Sequence, residues 1–77
     1  VDITYETLCA GERTSWGNRV AGDLAAATLD AAAAELLAEI AATPEHLRVP
    51  VDEIRLWSGA SPALPARAPD HVQQVPA

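Results

Sequence analysis

The sequence predicts a small α+β domain in which a helix lies across a short sheet, and three observations carry that expectation. Val1, Ile3, Tyr5 and Thr7 alternate with Asp2, Thr4 and Glu6, the period-2 pattern of a strand with one buried face. Residues 23–42 turn abruptly to alanine, leucine and glutamate, and Leu29, Ala33, Leu36 and Ile40 fall at the spacing of one helical face. Val49, Val51, Ile54, Leu56 and Trp57 form a third apolar cluster, closed by Ser58-Gly59.

The elements follow in order. Residues 1–9 read as a strand, Ala10-Gly11-Glu12 as a turn, and Arg13-Thr14-Ser15-Trp16 as a short returning strand that Gly17-Asn18 breaks. The main helix spans 23–42, with either Asp23 or Thr28 as its N-cap and Thr43-Pro44 as its end. Glu45 after Thr43-Pro44 suggests a helical turn over 44–47. Residues 52–57 read as a further strand, kept short by Pro50, because proline offers no ladder donor. Pro62, Pro65, Pro69 and Pro76 then predict that residues 60–77 form neither helix nor sheet but an extended, polyproline-like arm. The expected organisation is a domain over residues 1–59 and a Pro/Ala-rich tail over 60–77.

At 77 residues a single domain buries only about 60% of its unfolded surface. With Cys9 as the one cysteine, no internal disulfide can support so small a core, which leaves a partner subunit as the expected support. A net charge of -6 repels phosphate backbones and anionic headgroups, so direct binding to nucleic acid or membrane is not expected. The five basic residues are all arginine, with no lysine, phenylalanine or methionine, a usage pointing to a GC-rich bacterial or phage genome. Asp30, Glu35 and Glu39 interrupt the longest apolar run, and Val-Asp-Ile-Thr-Tyr at the start lacks the basic and apolar regions of a signal peptide. The expected location is the cytoplasm, or the virion of a phage.

Little in the chain suggests chemistry. Glu45-His46 and Asp70-His71 could in principle build a metal site or acid–base dyad, but neither has the i, i+4 histidine spacing of a helical zinc site. Cys9 reads as a small apolar residue ending a strand, and no serine lies in a nucleophile elbow. The four glycines are dispersed and match no phosphate loop. The sequence therefore predicts no enzyme, with no catalytic, cofactor-binding or metal residues and no cofactor. Trp16 and Trp57 end predicted strands and can serve as core bulk or as binding surface.

Thr7-Leu8-Cys9-Ala10-Gly11-Glu12-Arg13-Thr14, at the hairpin, and Val49-Pro50-Val51-Asp52-Glu53-Ile54-Arg55-Leu56-Trp57-Ser58-Gly59, after the helix, resemble segments of ubiquitin-like β-grasp domains. The resemblance implies a β-grasp-like variant of the fold and no activity, because the sequence ends Val75-Pro76-Ala77 without the Gly-Gly that conjugation requires. It would also demand a strand after residue 59, which the prolines oppose.

These readings converge on a non-enzymatic structural or accessory subunit of a larger assembly, a bacterial multi-subunit complex or a phage virion. Its partner is another protein chain or a homo-oligomer, bound through the alanine-rich helix flank and the C-terminal arm. Trp16, Leu24, Trp57, Pro62, Pro65 and Arg67 are the candidate interface residues. The alternative is an acidic regulatory protein, of inhibitor or antitoxin type, occupying a basic site on its partner.

Overall fold

A computed structural model describes residues 1–20, 22–23 and 26–76. It is a small α+β domain: strands β1 (Ile3–Cys9) and β2 (Glu12–Arg19), helix α1 (Leu29–Ala42), a 3-10 turn (Glu45–Leu47), and strands β3 (Glu53–Ser58) and β4 (His71–Gln74). The four strands make one sheet in the order β2-β1-β3-β4, antiparallel at every pairing. A β-grasp sets its first strand parallel to its last, so this topology departs from the β-grasp variant that the sequence suggested. Because β2 and β3 both run against β1, they are parallel to each other, and α1 connects them across the strand between.

The hairpin from β1 to β2 turns through Ala10 and Gly11, both left-handed (φ 53 and 81), the conformation of a two-residue type I′ turn. Asp52 steadies this turn by accepting from the Ala10 N–H at 2.9 Å. Strand β2 does not break at Gly17-Asn18, as the sequence suggested, but runs through both. Gly17 stands opposite Tyr5, and a Cβ there would meet the tyrosine Oη at 3.0 Å. The glycine makes room for a cross-strand aromatic ring.

Helix α1 starts six residues later than the alanine-rich composition suggested, at the second of the two caps foreseen. Thr28 is extended (φ -134, ψ 163) and its hydroxyl accepts from the Ala31 N–H. Asp23 is occupied in a turn instead, its carboxylate taking the Val20 N–H at 3.0 Å. The resulting helix has 14 residues and is about 21 Å long. Arg48 closes the other end, donating to the carbonyls of Thr43 (2.7 Å) and Ala41 (3.0 Å), carbonyls of the kind that a helix C-terminus leaves without intrahelical donors.

Ile3 on β1 and Ile54 and Leu56 on β3 are fully buried against Ala32, Ala33 and Leu36 of α1. Two alanines at the contact let the helix backbone approach the sheet closely. Leu29, Leu37, Ile40, Val51 and Val75 close the margins of this core.

The largest correction concerns residues 60–77. The prolines do not exclude a strand, because they flank it: Pro69 precedes and Pro76 follows residues 71–74, which pair with β3 as a short edge strand. Residues 59–70 form a loop lying on the sheet rather than an extended arm. The radius of gyration is 11.7 Å, close to the roughly 11.5 Å of a compact chain of this length.

Candidate protein-binding face

Alternation along the strands assigns each side chain to one of two faces. Ile3, Tyr5, Thr7, Ile54, Leu56, His71 and Gln73 share the face under the helix, by register and burial. The opposite face carries three cross-strand rows; Arg13–Leu8–Glu53–Gln74 lies toward the hairpin end, and the other two differ in character.

The first of these two is Asn18–Thr4–Trp57, and the proline-rich loop covers it. Thr4 is fully buried; its Oγ1 lies 2.8 Å from Asn18 Oδ1 and 2.9 Å from the Gly59 carbonyl, and accepts from the Ser61 N–H at 3.0 Å. Asn18 Nδ2 donates to the Ser61 carbonyl, and Trp57 Nε1 to the Arg67 carbonyl at 3.0 Å. Asp70 ends the loop by accepting from the Ser58 N–H (2.8 Å) and from Arg67 Nη1 (2.6 Å). These two bonds hold the Asp70 carboxyl below its ordinary value of 3.8, the Arg67 guanidinium being the larger cause.

The second row is Trp16–Glu6–Arg55–Val72, one residue from each strand, and the loop's anchors lie on the neighbouring row rather than here. Trp16 is 40% and Val72 46% exposed. Between them Arg55 is held by Glu53 (2.6 Å) and Glu6 (3.7 Å), an ion pair between two exposed apolar groups. Tryptophan and arginine are among the side chains enriched at protein-binding surfaces.

The structure brings most of the sequence-derived interface candidates to this face. Trp16 is on the open row. Trp57 is 4% exposed and serves as core bulk beneath the loop. Pro62 is exposed, Pro65 half-buried and Arg67 exposed, all within the covering loop. Leu24 lies outside the described residues. Glu6, Arg55 and Val72 were missed. The first two could have been found by extending the alternation of β1 and β3 to the face away from the helix, whereas Val72 depended on a strand that the prolines concealed.

Other groups remain apart. The Asp70-His71 pair is split, with Asp70 bound to Arg67 and Ser58 while His71 Nδ1 faces Asp30 at 3.0 Å on the helix side. His46 is exposed on the 3-10 turn, and Cys9 is half-buried. Among the described residues, no three histidine, cysteine or carboxylate side chains converge as metal ligands would. A shallow cavity of about 180 Å³ lies on the helix side, lined among others by Tyr5, Thr7, Ser15, Ile40 and Val49 and bridged by the Arg19–Glu39 pair at 2.9 Å. No helix among the described residues is long and apolar enough to cross a membrane. No known protein family, curated protein or solved structure matches the chain.

Proposed function

We propose that the chain is a non-enzymatic structural or accessory subunit of a larger protein assembly, a bacterial complex or a phage virion, and that it binds its partner through the open half of the sheet face. The observation that carries this reading is the row Trp16–Glu6–Arg55–Val72, which presents two large apolar groups around an ordered ion pair. The proline-rich loop bounds the face as a wall, in place of the extended arm that the sequence suggested. The exposed alanines Ala31, Ala34, Ala38 and Ala41 of α1 supply a second surface on which another backbone can pack closely.

The test is photo-crosslinking in source cells with benzoylphenylalanine at position 72 and, separately, at position 34. One recurrent heterologous adduct at position 72 is expected. An adduct at 34 alone would move the contact to the helix flank, and none at either position overturns the proposal. An interface resting on Trp16 and Val72 keeps its affinity as salt rises, whereas an acidic inhibitor on a basic site loses it steeply.

A further inference from the structure

We infer that the outer edge of β2 is a self-association edge, pairing antiparallel with β2 of a second copy about a two-fold axis at Trp16. The inference stands on the strand edge and not on the reading of the open face, so either can fail alone.

The backbone directions come first. The Gly59 N–H donates to the Asp2 carbonyl at 2.9 Å, so Asp2 turns its backbone groups toward β3. By alternation Thr4, Glu6 and Leu8 do the same, while Ile3, Tyr5 and Thr7 turn theirs toward β2. Their partners Arg19, Gly17 and Ser15 therefore point inward, and Trp16 and Asn18 point out of the sheet. Arg13 stands opposite Leu8 and points outward too. Among the described residues, no hydrogen bond from outside the sheet reaches the backbone of Arg13, Trp16 or Asn18.

The two edges of the sheet differ. Strand β4 is four residues long and flanked by prolines, a form that resists further pairing. Strand β2 has eight residues, no proline, and no charge from Thr14 to Asn18.

Charge then selects the occupant. Thr14 is an extra residue that β1 bypasses, pairing Thr7 with Ser15 and Leu8 with Arg13. If a second copy bypasses it in the same way, Trp16 meets Trp16 of the second copy, Ser15 meets Gly17, Arg13 meets Asn18, and Glu12 meets Arg19. Each pair shares a face: Glu12, Ser15, Gly17 and Arg19 lie on the helix side, and Arg13, Trp16 and Asn18 on the other. Symmetry gives the Glu12–Arg19 attraction twice, one at each end, and an aromatic pair at the centre, the contacts that stabilise antiparallel neighbours. Without the bypass, Arg13 would oppose Arg19. The bulge thus makes the strand complementary to itself, and the outward backbone groups of Trp16, Arg13 and Asn18 form narrow pairs that exchange two bonds each.

The test uses the full chain in a Cys9→Ser background. In a narrow pair the Cα atoms lie about 5.5 Å apart, within disulfide reach, so Trp16→Cys should cross-link to its own mate. Asn18→Cys, roughly 13 Å from its mate, should not, and a rate difference of at least about ten-fold is expected, with the unsubstituted chain sedimenting as a dimer. The E12R and R19E chains should each sediment as monomers and return to dimer on mixing, because only the mixed pair restores both attractions. A monomer up to about 1 mM, equal cross-linking of the two cysteine variants, or a mixture that stays monomeric would overturn the inference. Should R19E fail to fold after losing Glu39, the cysteine pair still decides.

Discussion

The indole Nε1 of Trp57 donates to the backbone carbonyl of Arg67 at 3.0 Å, and through that bond the proline-rich loop is fastened to the sheet face opposite the helix. Trp57 thereby fills the core of that face and anchors the connection that makes β4 possible. Trp57→Phe keeps most of the bulk and removes the donor. A loss of about 0.5–1.5 kcal/mol is expected in urea unfolding, with faster tryptic cleavage at Arg67. Trp57→Ala should cost about 3–5 kcal/mol. Unchanged cleavage in the phenylalanine variant would show that the loop is held by other contacts.

Thr28 is the N-cap that decides where the helix begins. Thr28→Ala should lower stability by about 1 kcal/mol and reduce helical ellipticity, with Thr28→Ser close to the parent. If circular dichroism and urea midpoints do not move, the cap is not what starts the helix.

Gly17 leaves space for the Tyr5 ring, whose Oη would lie 3.0 Å from a Cβ at that position. The ring is held in place by Arg19, its guanidinium 5.6 Å from the centroid, so it has little freedom to move aside. Gly17→Ala is expected to destabilise by about 1–3 kcal/mol, as overpacking does. Part of that loss should be recovered by Tyr5→Phe in the same chain. A double-mutant cycle with no coupling energy would refute the contact.

The Asp70 carboxyl is held below 3.8 by the Arg67 guanidinium and by the Ser58 N–H. A depressed folded-state value means that the contribution to stability is present above the unfolded value and is lost as pH falls through the folded one. Stability should therefore drop as the solution is acidified below about pH 4. Asp70→Asn removes the titrating group, so its unfolding free energy should fall less between pH 6 and pH 3 than the parent's. Parallel curves for the two proteins would exclude Asp70 as a contributor.

Local patterning by itself determined that there is a first hairpin, though not that its second strand runs on through Gly17-Asn18, together with the helix, the third strand and the side of the helix that is buried. Each of these elements announces itself within about ten neighbouring residues, through alternation, helical spacing or an abrupt change of composition. The start of the helix was only narrowed to two caps, because both Asp23 and Thr28 can accept a backbone N–H. The choice fell to Thr28, whose hydroxyl takes the Ala31 N–H, while Asp23 is engaged by the Val20 N–H. The fourth strand was not legible at all: His71-Val72-Gln73-Gln74 has no apolar alternation of its own, and its order comes from pairing with residues 53–56 far earlier in the chain. The open row Trp16–Glu6–Arg55–Val72 has the same origin, since it draws one residue from each of four strands. Sequence records what a residue prefers near its neighbours; which residues stand opposite one another is decided by long-range pairing, and the candidate site consists of those pairings.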